Sequence, residues 1–185
     1  MASGIETLLL AQVSYLMANS PQLASQTYIS TTTASVTLTV PAGYNNVEVV
    51  WRVRASDSVA VEPLSLQLNS DTGSDYVWQT LQGNVAATNI TNSGGATTKM
   101  QIATVTGNSA PTNYWSSGRF TISGASDATD KTVAGIGTAW GSATSGWAGT
   151  YGGLWSNSAA VSSITLTCAT GSFLTGCRFS LYVFN

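Results

Sequence analysis

The chain has 185 residues, 43% of them apolar and only 8% charged, with a net charge of −2 and no histidine. That apolar share, with six tryptophans, buries enough surface to fold and excludes a disordered chain. The missing histidine removes the commonest general base, the commonest zinc ligand and the usual hydrolytic triads, and the charge supplies no basic face for nucleic acid.

At the start, Ser3 and Glu6 are spaced as a capping box ahead of an apolar run. Ile5, Leu8, Leu9, Val13, Leu16 and Met17 recur at helical spacing, and Pro21 stops the pattern. The spacing predicts a short N-terminal α-helix within a segment of residues 1–24. Leu10 and Tyr15 extend its apolar surface around most of the circumference. Two uses are open for it. It closes one end of its own domain, or it is an anchor that buries Ile5, Leu8, Leu9, Val13 and Leu16 in a neighbouring subunit. The run is shorter than the ~20 apolar residues of a membrane span and lacks the basic start of a secretory signal, so no membrane partner is expected.

From Thr27 onward no stretch has a helical period. Val36, Leu38 and Val40 alternate ahead of the turn Pro41-Ala42-Gly43. Val47, Val49, Trp51 and Val53 then share one face of a run whose other face carries Glu48, Arg52 and Arg54, and Leu64, Leu66 and Leu68 repeat the alternation. A period of two is that of a half-buried strand. With Tyr76–Leu81, beyond the turn residues Ser70-Asp71-Thr72-Gly73-Ser74, these runs read as one set of antiparallel strands. Met100, Ile102 and Thr104 form another strand, Phe120 and Ile122 a short one, and residues 132–139 one more. Ser163–Cys168 and Cys177–Phe184 read as a closing hairpin. About eight short strands between Gly, Asn and Ser turns predict an all-β antiparallel sandwich or barrel.

Between Gly135 and Trp155, glycines alternate with Trp140, Trp147, Tyr151 and Trp155. Such a segment offers aromatic faces to sugar rings or a partner protein, with Trp140, Trp147 and Tyr151 as contact residues. Alternatively, its rings lie over an open end of the sandwich, where glycine allows close backbone approach. Asn69, Asp71, Gly73 and Asp75 resemble a calcium loop, but the Gly and the acidic residue that an EF-hand needs at its sixth and twelfth positions are missing. Asx turns account for the same residues. Asp127 and Asp130, ahead of Lys131, are a candidate glycosidase pair or simply a solvated loop. Cys168 and Cys177 fall on the apolar faces of their strands, as core thiols or as a disulfide. No nucleotide, nucleophile-elbow or metalloprotease motif occurs, so no catalytic, metal or cofactor-binding residue is assigned.

Two passages resemble a group of tailed-bacteriophage virion structural proteins. The first runs from Tyr44-Asn45-Asn46-Val47 to Arg54-Ala55-Ser56-Asp57 and on through Leu66-Gln67-Leu68-Asn69-Ser70-Asp71-Thr72-Gly73-Ser74-Asp75-Tyr76. The second comprises Ile164-Thr165-Leu166, Gly171-Ser172-Phe173, Gly176 and Arg178-Phe179-Ser180-Leu181-Tyr182. Arg54-Ala55-Ser56 departs from the group's Arg-Ser strand end, and Val183 stands where a Gly usually follows the closing Leu-Tyr. The resemblance covers about two-thirds of the chain. It implies a jelly-roll-like β-sandwich over residues 25–185 in a non-enzymatic virion component. The expected place is a head decoration or fibre-type subunit, attached to capsid or tail proteins through its N-terminal segment. A symmetric homo-oligomer is expected, with a trimer as the arrangement resembling phage fibres and decorations. The alternative is a tail-associated receptor- or host-glycan-binding module using the Trp140–Trp155 segment.

Overall fold

The computed structural model describes residues 20–86 and 89–185. The expected attachment helix, with Ile5, Leu8, Leu9, Val13 and Leu16, lies outside the described residues. Among those described, the chain forms twelve strands and no helix: β1 (Gln22–Tyr28), β2 (Ser35–Thr39), β3 (Asn46–Val53), β4 (Val61–Leu68), β5 (Tyr76–Asn84), β6 (Asn89–Thr97), β7 (Met100–Thr106), β8 (Ser116–Ser123), β9 (Lys131–Ser142), β10 (Ser145–Trp155), β11 (Ser163–Cys168) and β12 (Arg178–Phe184). Two antiparallel sheets result, one of eight strands in the order β1-β12-β3-β8-β9-β10-β5-β6 and one of four in the order β2-β11-β4-β7. Their inner faces share one hydrophobic core, so the all-β sandwich expectation holds. There are more strands than the sequence pattern indicated, and β1 begins at Gln22, inside the segment assigned to the anchor.

The alternation in β3 and β4 is the core pattern. Val47, Val49, Trp51 and Val53 are buried from one sheet and Leu64, Leu66 and Leu68 from the other. The strands of this block do not pair with one another: β3 and β5 belong to the large sheet and β4 to the small one. Asn69 and Ser70 both take positive φ (53° and 57°), and the Asp71 N–H donates to the Leu68 carbonyl at 2.9 Å, closing a tight turn of the I′ kind. From there the chain crosses to the opposite sheet. Tyr76 ties the crossing together, its hydroxyl accepting from Leu68 N at 2.9 Å and donating to Leu68 O at 3.2 Å. Burial raises the Tyr76 phenol to about 12. The expected closing hairpin is likewise a crossing, since β11 lies in the small sheet and β12 in the large. Cys168 and Cys177 are therefore not ladder neighbours; both are buried free thiols.

Strand β7 ends the small sheet, yet it is buried along nearly its whole length. Its free edge is covered by side chains of other elements: Thr104 N donates to the Tyr151 hydroxyl at 3.1 Å and Thr106 N to the Ser116 hydroxyl at 3.2 Å. An edge satisfied in this way offers no ladder to another chain.

Candidate functional site

The glycine- and aromatic-rich segment is a long hairpin, β9 and β10, in which Trp147 pairs with Ala139 and Trp155 with Lys131. Trp147, Tyr151 and Trp155 recur every four residues, and on a strand that spacing puts all three on one face. This face is the inner one. Tyr151 is only 4% exposed and its hydroxyl accepts from Thr104 N, so the expectation of Tyr151 as a glycan contact is corrected: its ring is part of the core. Burial pushes its phenol above the ordinary value. Trp155 is fully buried beside Tyr76, with ring centroids 6.3 Å apart. Trp147 is half-buried, its ring edge near Gly141.

Trp140 lies on the other face and is 44% exposed. Its cross-strand neighbour is Gly146, where a Cβ would stand 2.4 Å from Cε3 of the indole. The glycine gives the ring a flat seat, leaving the opposite side open. Beside it runs the loop between β7 and β8. Asn113, Tyr114, Trp115, Trp140 and Ala143 line a cavity of about 400 Å³ there. The Arg52 guanidinium lies over the Trp115 ring at 4.1 Å.

The loop is held from beneath by Arg54, which the alternation of β3 placed on the solvent face. Arg54 is buried instead, because a shift to loop geometry after Val53 turns the side chain inward. Its guanidinium donates to the carbonyls of Asn108 (3.3 Å), Ala110 (2.6 Å), Pro111 and Tyr114 (2.9 Å). Loss of solvation lowers its pKa from the usual arginine value. Lys131 is also buried and donates to the carbonyls of Asp127 (2.8 Å), Thr129 and Asn157 (3.3 Å). Desolvation lowers its pKa, opposed by the nearby Asp127 and Asp130 carboxylates.

Of the acidic candidates, Asp71 and Asp130 are engaged by protein donors. Asp71 accepts from Gly73 N at 2.8 Å, Trp155 Nε1 at 2.7 Å and Asn157 Nδ2 at 3.4 Å. Asn69 Oδ1 accepts from Ser162 N at 2.8 Å and Ser163 N at 3.1 Å, pinning the entry to β11. Asp130 accepts from the Ser156 hydroxyl at 3.1 Å. Glu62, not singled out from the sequence, is buried and accepts from Thr170 N (3.0 Å) and Gly171 N (3.1 Å). These residues join loops to strands.

A second concave region lies on the outer face of the large sheet. Val77, Gln79, Leu81, Thr150, Gly152 and Leu154 border a groove of about 810 Å³. Thr150 is in register with both Leu81 and Ile136, and Leu154 with Val77, so two cross-strand rows that carry apolar side chains flank the row of Gln79, Gly152 and Ala134. Val77, Leu81 and Ile136 are exposed. Sequence reasoning missed this patch because its residues come from separate strands. It also missed Tyr114 and Trp115, although an aromatic pair in a polar loop was visible. No protein-family model matches the chain, and no curated protein matches it.

Proposed function

We propose that the protein is a non-enzymatic structural component of a bacteriophage virion, a head decoration or fibre-type subunit that works by contact with its neighbours. The observation carrying this reading is the set of exposed and half-buried apolar side chains on the outer face of the large sheet: Leu81 and Ile136 in one cross-strand row, Val77 and Leu154 in the next but one, with Leu81, Val77 and Leu154 lining a groove shared with Gln79, Asn92 and Ser93. A soluble monomer rarely leaves such rows open, whereas a subunit packed in a symmetric assembly covers them. The strand order supports a jelly-roll reading. The small sheet, β2-β11-β4-β7, and the first four strands of the large one, β1-β12-β3-β8, match the interleaving of an eight-stranded jelly roll, with β9, β10, β5 and β6 extending the large sheet beyond β8.

The chain's construction agrees with such a role. Charges are few, and Arg54 and Lys131 tie loops to the scaffold through backbone carbonyls. The test is mass spectrometry and electron cryo-microscopy of gradient-purified particles from a culture that produces the chain. The expected result is stoichiometric peptides and symmetric density that fits the sandwich. Absence of the chain from washed particles, together with a strictly monomeric protein by light scattering over a dilution series, would rule the reading out.

A further inference from the structure

We infer that the cavity between the β7–β8 loop and the end of β9 binds a neutral sugar ring, with Trp140 as the stacking platform and Asn113 and Tyr114 as polar contacts. This goes beyond the virion reading and stands without it. The cavity, about 400 Å³, falls in the size range of small-ligand sites. Trp140 is an exposed large aromatic seated flat on Gly146, with its other face open. A pyranose has a face of C–H bonds, slightly positive, that complements the negative face of an indole.

Position matters as much as composition. The Trp140 backbone is fixed from both sides by one hydroxyl: its N–H donates to Thr106 Oγ1 at 3.2 Å, and that oxygen donates to the Trp140 carbonyl at 3.2 Å. Trp115 is held between the Arg52 guanidinium and Gly176, where a Cβ would lie 3.0 Å from Cη2 of the indole. The backbone that carries Asn113 and Tyr114 is spanned by the Arg54 bonds to Ala110, Pro111 and Tyr114. A loop already ordered in this way loses little entropy when a ligand arrives.

The lining selects the ligand class. The five lining side chains are uncharged, and the charge beside them, the Arg52 guanidinium, is already packed over the Trp115 ring, so the lining itself supplies polar contacts and no counter-charge. The Asn113 amide and Tyr114 hydroxyl have no hydrogen-bond partner among the described residues, and between them they offer donors and acceptors of the kind a sugar hydroxyl rim needs. Aromatic faces with a few neutral polar groups fit a hexose better than a wholly apolar group, which would leave those polar atoms unmatched.

The test is a glycan array, with neutral and sialylated members, probed with the intact protein and followed by titration of the best neutral hits. Binding of neutral hexose-containing glycans is expected, weakened by at least about tenfold in Trp140→Ala at an unchanged melting temperature. Trp140→Tyr should restore part of the affinity because it keeps a ring face, and Asn113→Ala should weaken binding without altering stability. A protein that binds no glycan overturns the inference, as does a glycan signal that survives Trp140→Ala. Loss of self-association in Trp140→Ala with no glycan bound assigns the ring to a protein contact instead. Sugar binding without particle incorporation, or the reverse, separates this inference from the virion reading.

Discussion

The indole N–H of Trp155 donates to the Asp71 carboxylate at 2.7 Å, joining the last residue of β10 in the large sheet to the turn that leaves the small one. The Gly73 N–H and then this indole are the main reasons the Asp71 carboxyl is held below its ordinary value of 3.8. A carboxyl whose folded pKa is depressed contributes stability above its unfolded pKa, and that contribution is lost as the pH falls through the folded value. Asp71→Asn should therefore lower stability at neutral pH by about 1.5–3 kcal/mol, the range for hydrogen bonds to a charged group. The gap from the native protein should narrow as the pH falls below 3.8. Urea unfolding of both proteins from neutral to strongly acidic pH measures this, and a gap independent of pH would contradict it.

Arg54 is a buried charge whose partners are backbone carbonyls. Its planar fork reaches Asn108, Ala110, Pro111 and Tyr114, a span that a single ammonium does not reproduce. Arg54→Met leaves the buried Ala110 carbonyl and the part-buried carbonyls of Asn108, Pro111 and Tyr114 without this donor, and Arg54→Lys restores only part of the set. A loss of about 1–3 kcal/mol for Met, and less for Lys, is expected, the range for leaving a buried acceptor unsatisfied. Hydrogen exchange should accelerate in the loop from residue 108 to 114 before it does in β3. Uniform acceleration across the sheet would mean that Arg54 supports the whole fold and not this loop in particular.

Local patterns in the sequence were legible and long-range ones were not. The inner faces of β3 and β4 follow from alternation alone, since side-chain direction in a strand is a property of neighbouring residues. Which sheet each strand joins depends on crossings. The turn at Asn69 and Ser70 looks the same in sequence whether the chain returns beside β4 or passes to the other sheet. For the same reason Cys168 and Cys177 seemed to face each other across a hairpin. In the aromatic segment, four-residue spacing already grouped Trp147, Tyr151 and Trp155 on one face, whereas Trp140 lies across the turn in β9 and its face depends on the hairpin register. Arg54 was misread because alternation was carried one residue past the end of its strand.

The thiols give a simple check of the crossing between β11 and β12. Burial raises the pKa of both Cys168 and Cys177, and Cys177 Sγ accepts from Arg54 N and donates to Arg54 O, each at 3.3 Å. Neither thiol should react with a water-soluble disulfide reagent in the native protein, since the thiolate is scarce and access is blocked. After denaturation without reductant, both cysteines should titrate. Finding no free thiol would mean the two are bridged.

Trp51 and Trp155 are buried to nearly the same extent but differ in what their indole N–H meets. Trp155 Nε1 is bonded to Asp71, whereas Trp51 Nε1 has no partner among the described residues. Removing a donor that is bonded leaves its acceptor short, whereas removing an unpaired buried donor relieves a desolvation cost. Trp→Phe should therefore cost more at 155 than at 51, by about 1–3 kcal/mol after similar losses of ring area. The seat of Trp51 sharpens the comparison. Its ring lies over Gly118 and Gly137, and a Cβ on Gly118 would stand 2.3 Å from Cζ2 of the indole and 2.4 Å from the Ile136 carbonyl. Gly118→Ala should cost about 1–3 kcal/mol as overpacking. Part of that cost should disappear in the Trp51→Phe background, where the shorter ring withdraws from the glycine, while the carbonyl contact keeps the remainder. A double-mutant cycle by urea unfolding isolates that coupling. Equal costs for the two Trp→Phe changes, or strictly additive effects of Trp51→Phe and Gly118→Ala, would show that neither the Asp71 bond nor the glycine seat has the energetic role given to it here.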